Sequence, residues 1–245
     1  MLGAARIAGG AAPLAAGLLA SISFAWAYEA GPVSDGARVE GQVLYTGRIP
    51  TKHIIPNDPE VCGPPRDIPL IHTAADGAVT DAVVFLEGIE RGKPWPPLAK
   101  TPELDNKDCE FAPRIVVMPP GTIAVVNSDP VLHNTHSFYG PRTAFNLALP
   151  KQGLVIEKEL KRPGILNVQC DAHGHMSARI FVAANPYYAS TENGGTFELP
   201  ELPAGDYRIV AYQEQTGRVE APLAVKPGET IRLRIDLAKK AIERH

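Results

Sequence analysis

Read for the alternation of apolar and polar positions, the chain predicts strands and almost no helix. Short runs rich in Val, Ile and Leu stand at 39–45, 79–86, 114–118, 122–127, 154–160, 165–169 and 179–183. Turn-forming residues bound these runs, most clearly Pro119-Pro120-Gly121, Ser128-Asp129-Pro130 and Arg162-Pro163-Gly164. Pro and Gly set backbone angles that interrupt a ladder. With 24 Pro and 22 Gly in 245 residues, many short strands joined by tight loops are expected. No segment sustains the period of a long helix, so the fold class is all-β, a sandwich or barrel.

The pattern changes after Pro186. Gly194-Gly195-Thr196-Phe197-Glu198-Leu199 and Leu202-Pro203-Ala204-Gly205-Asp206-Tyr207-Arg208-Ile209 precede two alternating strands around 223–225 and 230–237. Together they predict a compact antiparallel unit over residues 187–245. Residues 28–77 hold one clear strand and bury too little to fold alone, so they must pack on something else. Residues 93–107, with Pro94, Trp95, Pro96 and Pro97, read as a long exposed connection.

The first 27 residues stand apart. Arg6 precedes an apolar run, and Ala25-Trp26-Ala27 offers small residues at a cleavage site, the make-up of a secretory signal peptide. Gly9, Gly10, Pro13 and Gly17 interrupt the run, which is too short for a comfortable membrane span. No other segment qualifies, so a periplasmic protein with no membrane span in the mature chain is expected. A formal net charge of -3 with scattered Lys and Arg leaves no basic tract to follow a phosphate backbone, which excludes nucleic acid as a partner.

The three cysteines, Cys62, Cys109 and Cys170, pose a question. In an oxidising compartment two of them are expected to pair, and an exposed thiolate left over is soon oxidised unless something occupies it. Cys62 and Cys109 both lie beside loops, so a bond between them would leave Cys170 available. Pairing of Cys170 with either would abolish any site there.

Four of the seven histidines fall in two short stretches, Leu132-His133-Asn134-Thr135-His136 and Cys170-Asp171-Ala172-His173-Gly174-His175-Met176. The second lies between strands 165–169 and 179–183 and reads as a hairpin loop. The first follows strand 122–127 and reaches the same end of the sheet. One thiolate, two imidazoles and one thioether, from His133, Cys170, His173 and Met176, are the set that holds copper in a trigonal site with a weak axial Met. Zinc gains little from Met. The outlying His53, His72 and His245 are too few and scattered for the further copper sites of an oxidase or nitrite reductase. A closed mononuclear site does no substrate chemistry, so a carrier rather than an enzyme is expected. His136 and His175 read as solvated or docking-edge residues, or as extra donors in a copper chaperone or storage module. A metal-free structural module of the cell envelope is the remaining alternative.

At these residues the chain resembles a cupredoxin. Cys170-x-x-His173-x-x-Met176 has the short spacing of the amicyanin loop, and Val131-Leu132-His133-Asn134 is similar to the amicyanin and pseudoazurin stretch in which Asn follows a ligand His. Phe111-Ala-Pro-Arg-Ile115, Pro120-Gly121 and Val126-Asn127-Ser128-Asp129 also resemble early strands of that fold. The resemblance covers residues 78–186 and implies a Greek-key β-sandwich with one type 1 (blue) copper on His133, Cys170, His173 and Met176. It also implies that Asn134 ties the two ligand loops together. The function implied is one-electron transfer with a redox partner protein such as a cytochrome c or a dehydrogenase, with an exposed His173 imidazole as the exit. His175 departs from the family pattern, standing between two presumed ligands. Residues 187–245 are similar to carboxypeptidase regulatory-like, or transthyretin-like, domains, through Gly-x-Phe-x-Leu and Leu-Pro-Ala-Gly-x-Tyr. Val39-Glu-Gly-Gln-Val43 resembles the first strand of such a domain, so residues 28–77 are expected to complete that sandwich around an inserted cupredoxin.

Overall fold

A computed structural model describes residues 28–192 and 194–245; the signal peptide expected over 1–27 lies outside them. The described chain is all-β apart from one helical turn, Pro59–Cys62. None of its helices is long and apolar enough to cross a membrane.

Four larger sheets form two sandwiches. In the first, one sheet has the order Leu154–Leu160, Gly121–Asn127, Glu103–Lys107, Glu110–Ala112. Its partner runs Arg142–Leu149, His133–Tyr139, Gly164–Gln169, Ser177–Val182, Ile115–Met118. Leu104, Ile123 and Leu160 from one sheet meet Phe145, Leu166 and Ile180 from the other in a single core.

Glu103–Lys107 corrects the reading of 93–107 as an exposed connection: it pairs in parallel with Gly121–Asn127, with Leu104 and Asn106 fully buried. The alternation was hidden because one inward residue is polar. The Nδ2 of Asn106 donates to the Val126 carbonyl at 2.7 Å, which offsets part of the cost of burying an amide, while its Oδ1 has no hydrogen-bond partner. His133–Tyr139 hides in the same way, since its inward positions include Thr135 and Ser137.

The second sandwich draws on both ends of the described chain. One sheet is Tyr188–Ser190, Ala82–Glu87, Gly205–Gln213, Gly217–Val225; the other is Thr196–Leu202, Ala37–Leu44, Thr230–Asp236, Ala241–Arg244. Ala37–Leu44 pairs antiparallel with Thr196–Leu202 and parallel with Thr230–Asp236, and buries Val39 and Val43 in the common core.

Ala82–Glu87, placed by sequence within the 78–186 segment, also belongs to this sandwich, paired with Gly205–Gln213 and Tyr188–Ser190. The physical reason is its double burial. Val84 and Leu86 enter the sandwich core, while Val83 and Phe85 meet Ile115, Phe181 and Val210 between the two sandwiches. A strand apolar on both faces shows no alternation, so its sequence does not say which unit it serves.

A polar cluster shares that junction. Asp81 accepts from Gln213 Nε2 at 3.0 Å and stands 3.8 Å from Arg114 Nε, while its Oδ1 has no hydrogen-bond partner. Burial pushes the Asp81 carboxyl above its ordinary 3.8, against the opposing effects of Gln213, Arg114 and His72. The folded state therefore holds a proton that the unfolded state releases. The stability linked to this proton is fully present below 3.8 and lost as pH rises through the raised value. Asp81→Asn, which mimics the neutral form, is expected to reduce that fall by up to about 1.4 kcal/mol per pH unit, read as the difference between paired urea titrations.

Residues 51–69 leave the second sandwich and cross to one pole of the first. Thr51–Ile54 and Arg66–Pro69 form a small antiparallel ladder, and the turn between them carries Cys62, which is disulfide-bonded to Cys109.

Candidate metal centre

His133 opens its strand and Cys170 follows directly on Gly164–Gln169. Those two strands are hydrogen-bonded neighbours, with His136 opposite Gln169. Sheet pairing therefore fixes one histidine and the thiol side by side. The turn after Cys170 returns His173 to the same point, and the Met176 amide donates to the His173 carbonyl at 2.9 Å to close it.

The result is a compact donor cluster. His133 Nδ1 lies 3.8 Å and His173 Nδ1 3.7 Å from Cys170 Sγ, and one ligand atom from each of the three residues falls within 4.8 Å of the others. Cys170 is a free cysteine. All three are buried, as is Met176, which shares a packed cluster with Cys170.

Both rings are oriented from behind by carboxylates. His133 Nε2 meets Asp129 Oδ2 at 2.9 Å and His173 Nε2 meets Asp58 Oδ2 at 2.8 Å. A carboxylate accepts, so each ring carries its proton on Nε2 and turns the Nδ1 lone pair toward the thiol. Asp129 is itself fixed by the Asp108 and Cys109 amides, both at 2.8 Å. Burial, opposed by the Asp129 hydrogen bond, holds His133 below its ordinary 6.5, which favours the neutral imidazole that binds metals.

Asn134 bridges the two loops. Its Oδ1 accepts from the Asp171 amide at 2.7 Å and the Ala172 amide at 3.3 Å, its Nδ2 donates to Asp171 Oδ2 at 2.9 Å, and its own amide points at Cys170 Sγ at 3.5 Å.

The other clustered histidines turn elsewhere. His136 lies three positions along the strand from His133, so the two-residue period sends it to the opposite face, where it meets Asp171 at 3.0 Å and Thr143 at 3.1 Å. His175 Nε2 donates to the Cys109 carbonyl at 3.1 Å, and burial lowers its pKa.

One expectation is corrected outright. His173 was expected to expose its imidazole, yet it is 1% exposed. Residues 51–69 lie over it: Asp58 holds the ring, Asn57 Nδ2 donates to the Ala172 carbonyl at 2.7 Å, and Lys52 Nζ donates to the Gly174 carbonyl at 3.1 Å. The disulfide fastens this cover to the first sandwich. Asp58 and Asp129 went unnoticed in the sequence. Asp129, four residues before His133 in a Ser-Asp-Pro turn, left a local trace, but Asp58 lies 115 positions from its partner and left none.

No family model and no curated protein matches the chain. Among solved structures, partial likenesses exist to the copper-containing nitrite reductase (NirK) of Thermus scotoductus SA-01, at 23% identity and TM-score 0.30. That match covers 37% of this chain and 24% of the reductase. A purple cupredoxin from Nitrosopumilus maritimus is 21% identical over 33% of this chain and 98% of its own, at TM-score 0.30. Amicyanin from Paracoccus versutus is 16% identical over 36% of this chain and 85% of its own, at TM-score 0.32.

Proposed function

We propose that this protein is a periplasmic one-electron carrier that holds a single copper ion between His133, Cys170, His173 and Met176. The observation that carries the reading is the buried free thiol faced by two imidazole Nδ1 atoms at 3.8 and 3.7 Å. Bound there, copper supplies reversible exchange between two oxidation states one electron apart, tuned by its thiolate, imidazole and thioether donors.

The chain supplies rigidity and insulation. Asp129 and Asp58 keep both rings in one tautomer and orientation, and Asn134 keeps the two loops in register. With donors fixed by a sheet and by second carboxylates, little of the protein has to move when the charge at the site changes by one. The route to a redox partner, such as a cytochrome c or a dehydrogenase, runs from His173 to Asp58, whose side chain is 48% exposed and 2.8 Å from the ring.

Copper analysis with visible absorption tests the carrier reading. One ion per chain is expected, with an intense thiolate-to-copper band that bleaches on one-electron reduction and returns on oxidation. Copper bound without that band would sink the proposal. Asp58→Ala is expected to weaken copper binding by about 10- to 100-fold, the usual cost of losing a partner that orients a ligand histidine, measured by competition with a chromophoric chelator.

A further inference from the structure

The disulfide that fastens the cover lies against the donor cluster. Cys62 Sγ, Cys109 Sγ and a ring nitrogen of His173 all fall within 4.8 Å of one another. Cys109 Sγ also lies within 4.8 Å of a ring nitrogen of His133 and a carboxylate oxygen of Asp129. All five residues are buried. A bond needed only to pin a loop could sit anywhere along residues 51–69, whereas this one brings two more sulfurs to the place where metal donors already converge.

We infer that reducing the Cys62–Cys109 bond creates a second copper site, selective for Cu(I), formed by the two thiolates as a two-coordinate pair beside His173. Thiolate pairs select Cu(I) because soft sulfur suits the soft ion. The two Cα atoms stand 5.2 Å apart, and the antiparallel contact of the 51–54 and 66–69 strands together with the Asp58 and Asn57 bonds holds Cys62 nearby after the sulfurs separate. Arg66 Nη1 donates to the Cys62 carbonyl at 2.6 Å, which brings a fixed positive charge beside a centre whose two thiolates outweigh the single charge of Cu(I).

The chemistry balances with a dithiol as reductant. It delivers two electrons and two protons to the disulfide, leaving two cysteine thiols, and becomes a cyclic disulfide itself. Cu(I) then displaces both thiol protons to solvent. In the oxidised chain these sulfurs are bonded to each other and offer nothing, so copper capacity follows the thiol state. The inference shares no donor atom with the carrier reading, because the free lone pair of His173, on Nδ1, faces Cys170 while Nε2 is held by Asp58.

Anaerobic Cu(I) titration against a bicinchoninate competitor, before and after dithiol reduction and desalting, tests it. Oxidised protein is expected to take one equivalent and reduced protein two. Cys170→Ser isolates the second site: none when oxidised, one when reduced, with the thiols reactive to a disulfide reagent falling from two to none as copper is added. Equal uptake by oxidised and reduced wild type would overturn the inference. So would full thiol reactivity in reduced Cys170→Ser after one equivalent, a readout that needs no cysteine-free variant to fold. A second equivalent taken up by Cys62→Ser/Cys109→Ser would overturn it as well. If oxidised Cys170→Ser binds Cu(I) as tightly as wild type, the carrier site fails, while the thiol count still decides the second site.

Discussion

Cys170→Ser is expected to abolish the intense visible band of the copper-loaded protein while leaving the metal-free fold intact. Cys170 is the free cysteine that both Nδ1 atoms face, and a hydroxyl is a far harder donor that gives no thiolate-to-copper transition. The fold should survive because a serine hydroxyl is close in size and finds the Asn134 amide, which already points at Sγ at 3.5 Å. Burying that hydroxyl with a partner should change unfolding free energy by no more than about 2 kcal/mol. An undiminished band in Cys170→Ser, alongside an unchanged urea midpoint, would show that another sulfur holds the metal.

Loss of the disulfide should have the largest effect on stability. Cys62 and Cys109 are 47 positions apart, and closing a loop of that length restricts the unfolded chain by about 4 kcal/mol. Cys62→Ser/Cys109→Ser is therefore expected to unfold at clearly lower urea. It should also surrender bound copper faster to a chelator, because the cover over His173 would then rest on non-covalent contacts, among them those of Asp58, Asn57 and Lys52. An unchanged release rate would mean the non-covalent contacts suffice to keep the ring covered.

How far the sequence could be read depends on where each signal lives. The apolar strands at 122–127, 154–160 and 165–169 were plain because most of their inward residues are Val, Ile and Leu. Glu103–Lys107 and His133–Tyr139 were not, because the polar residues Asn106, Thr135 and Ser137 occupy inward positions, the first two of them joined by a hydrogen bond. Ala82–Glu87 announced itself as a strand but not its allegiance, since both faces are apolar. The donor residues stood out as chemical types crowded into two short stretches. Their mutual distances came from the pairing of His133–Tyr139 with Gly164–Gln169.

The sequence by itself determined the all-β class and the two donor stretches that hold His133, Cys170, His173 and Met176, because residue type and local spacing are properties of the chain. Only the tertiary structure decided that His173 lies beneath residues 51–69, that Asp58 and Asp129 orient the two rings, and that a disulfide stands beside them. Those contacts join positions as far as 122 residues apart. No local pattern encodes such a contact, because it forms only when the cores of both sandwiches bring distant segments to one pole.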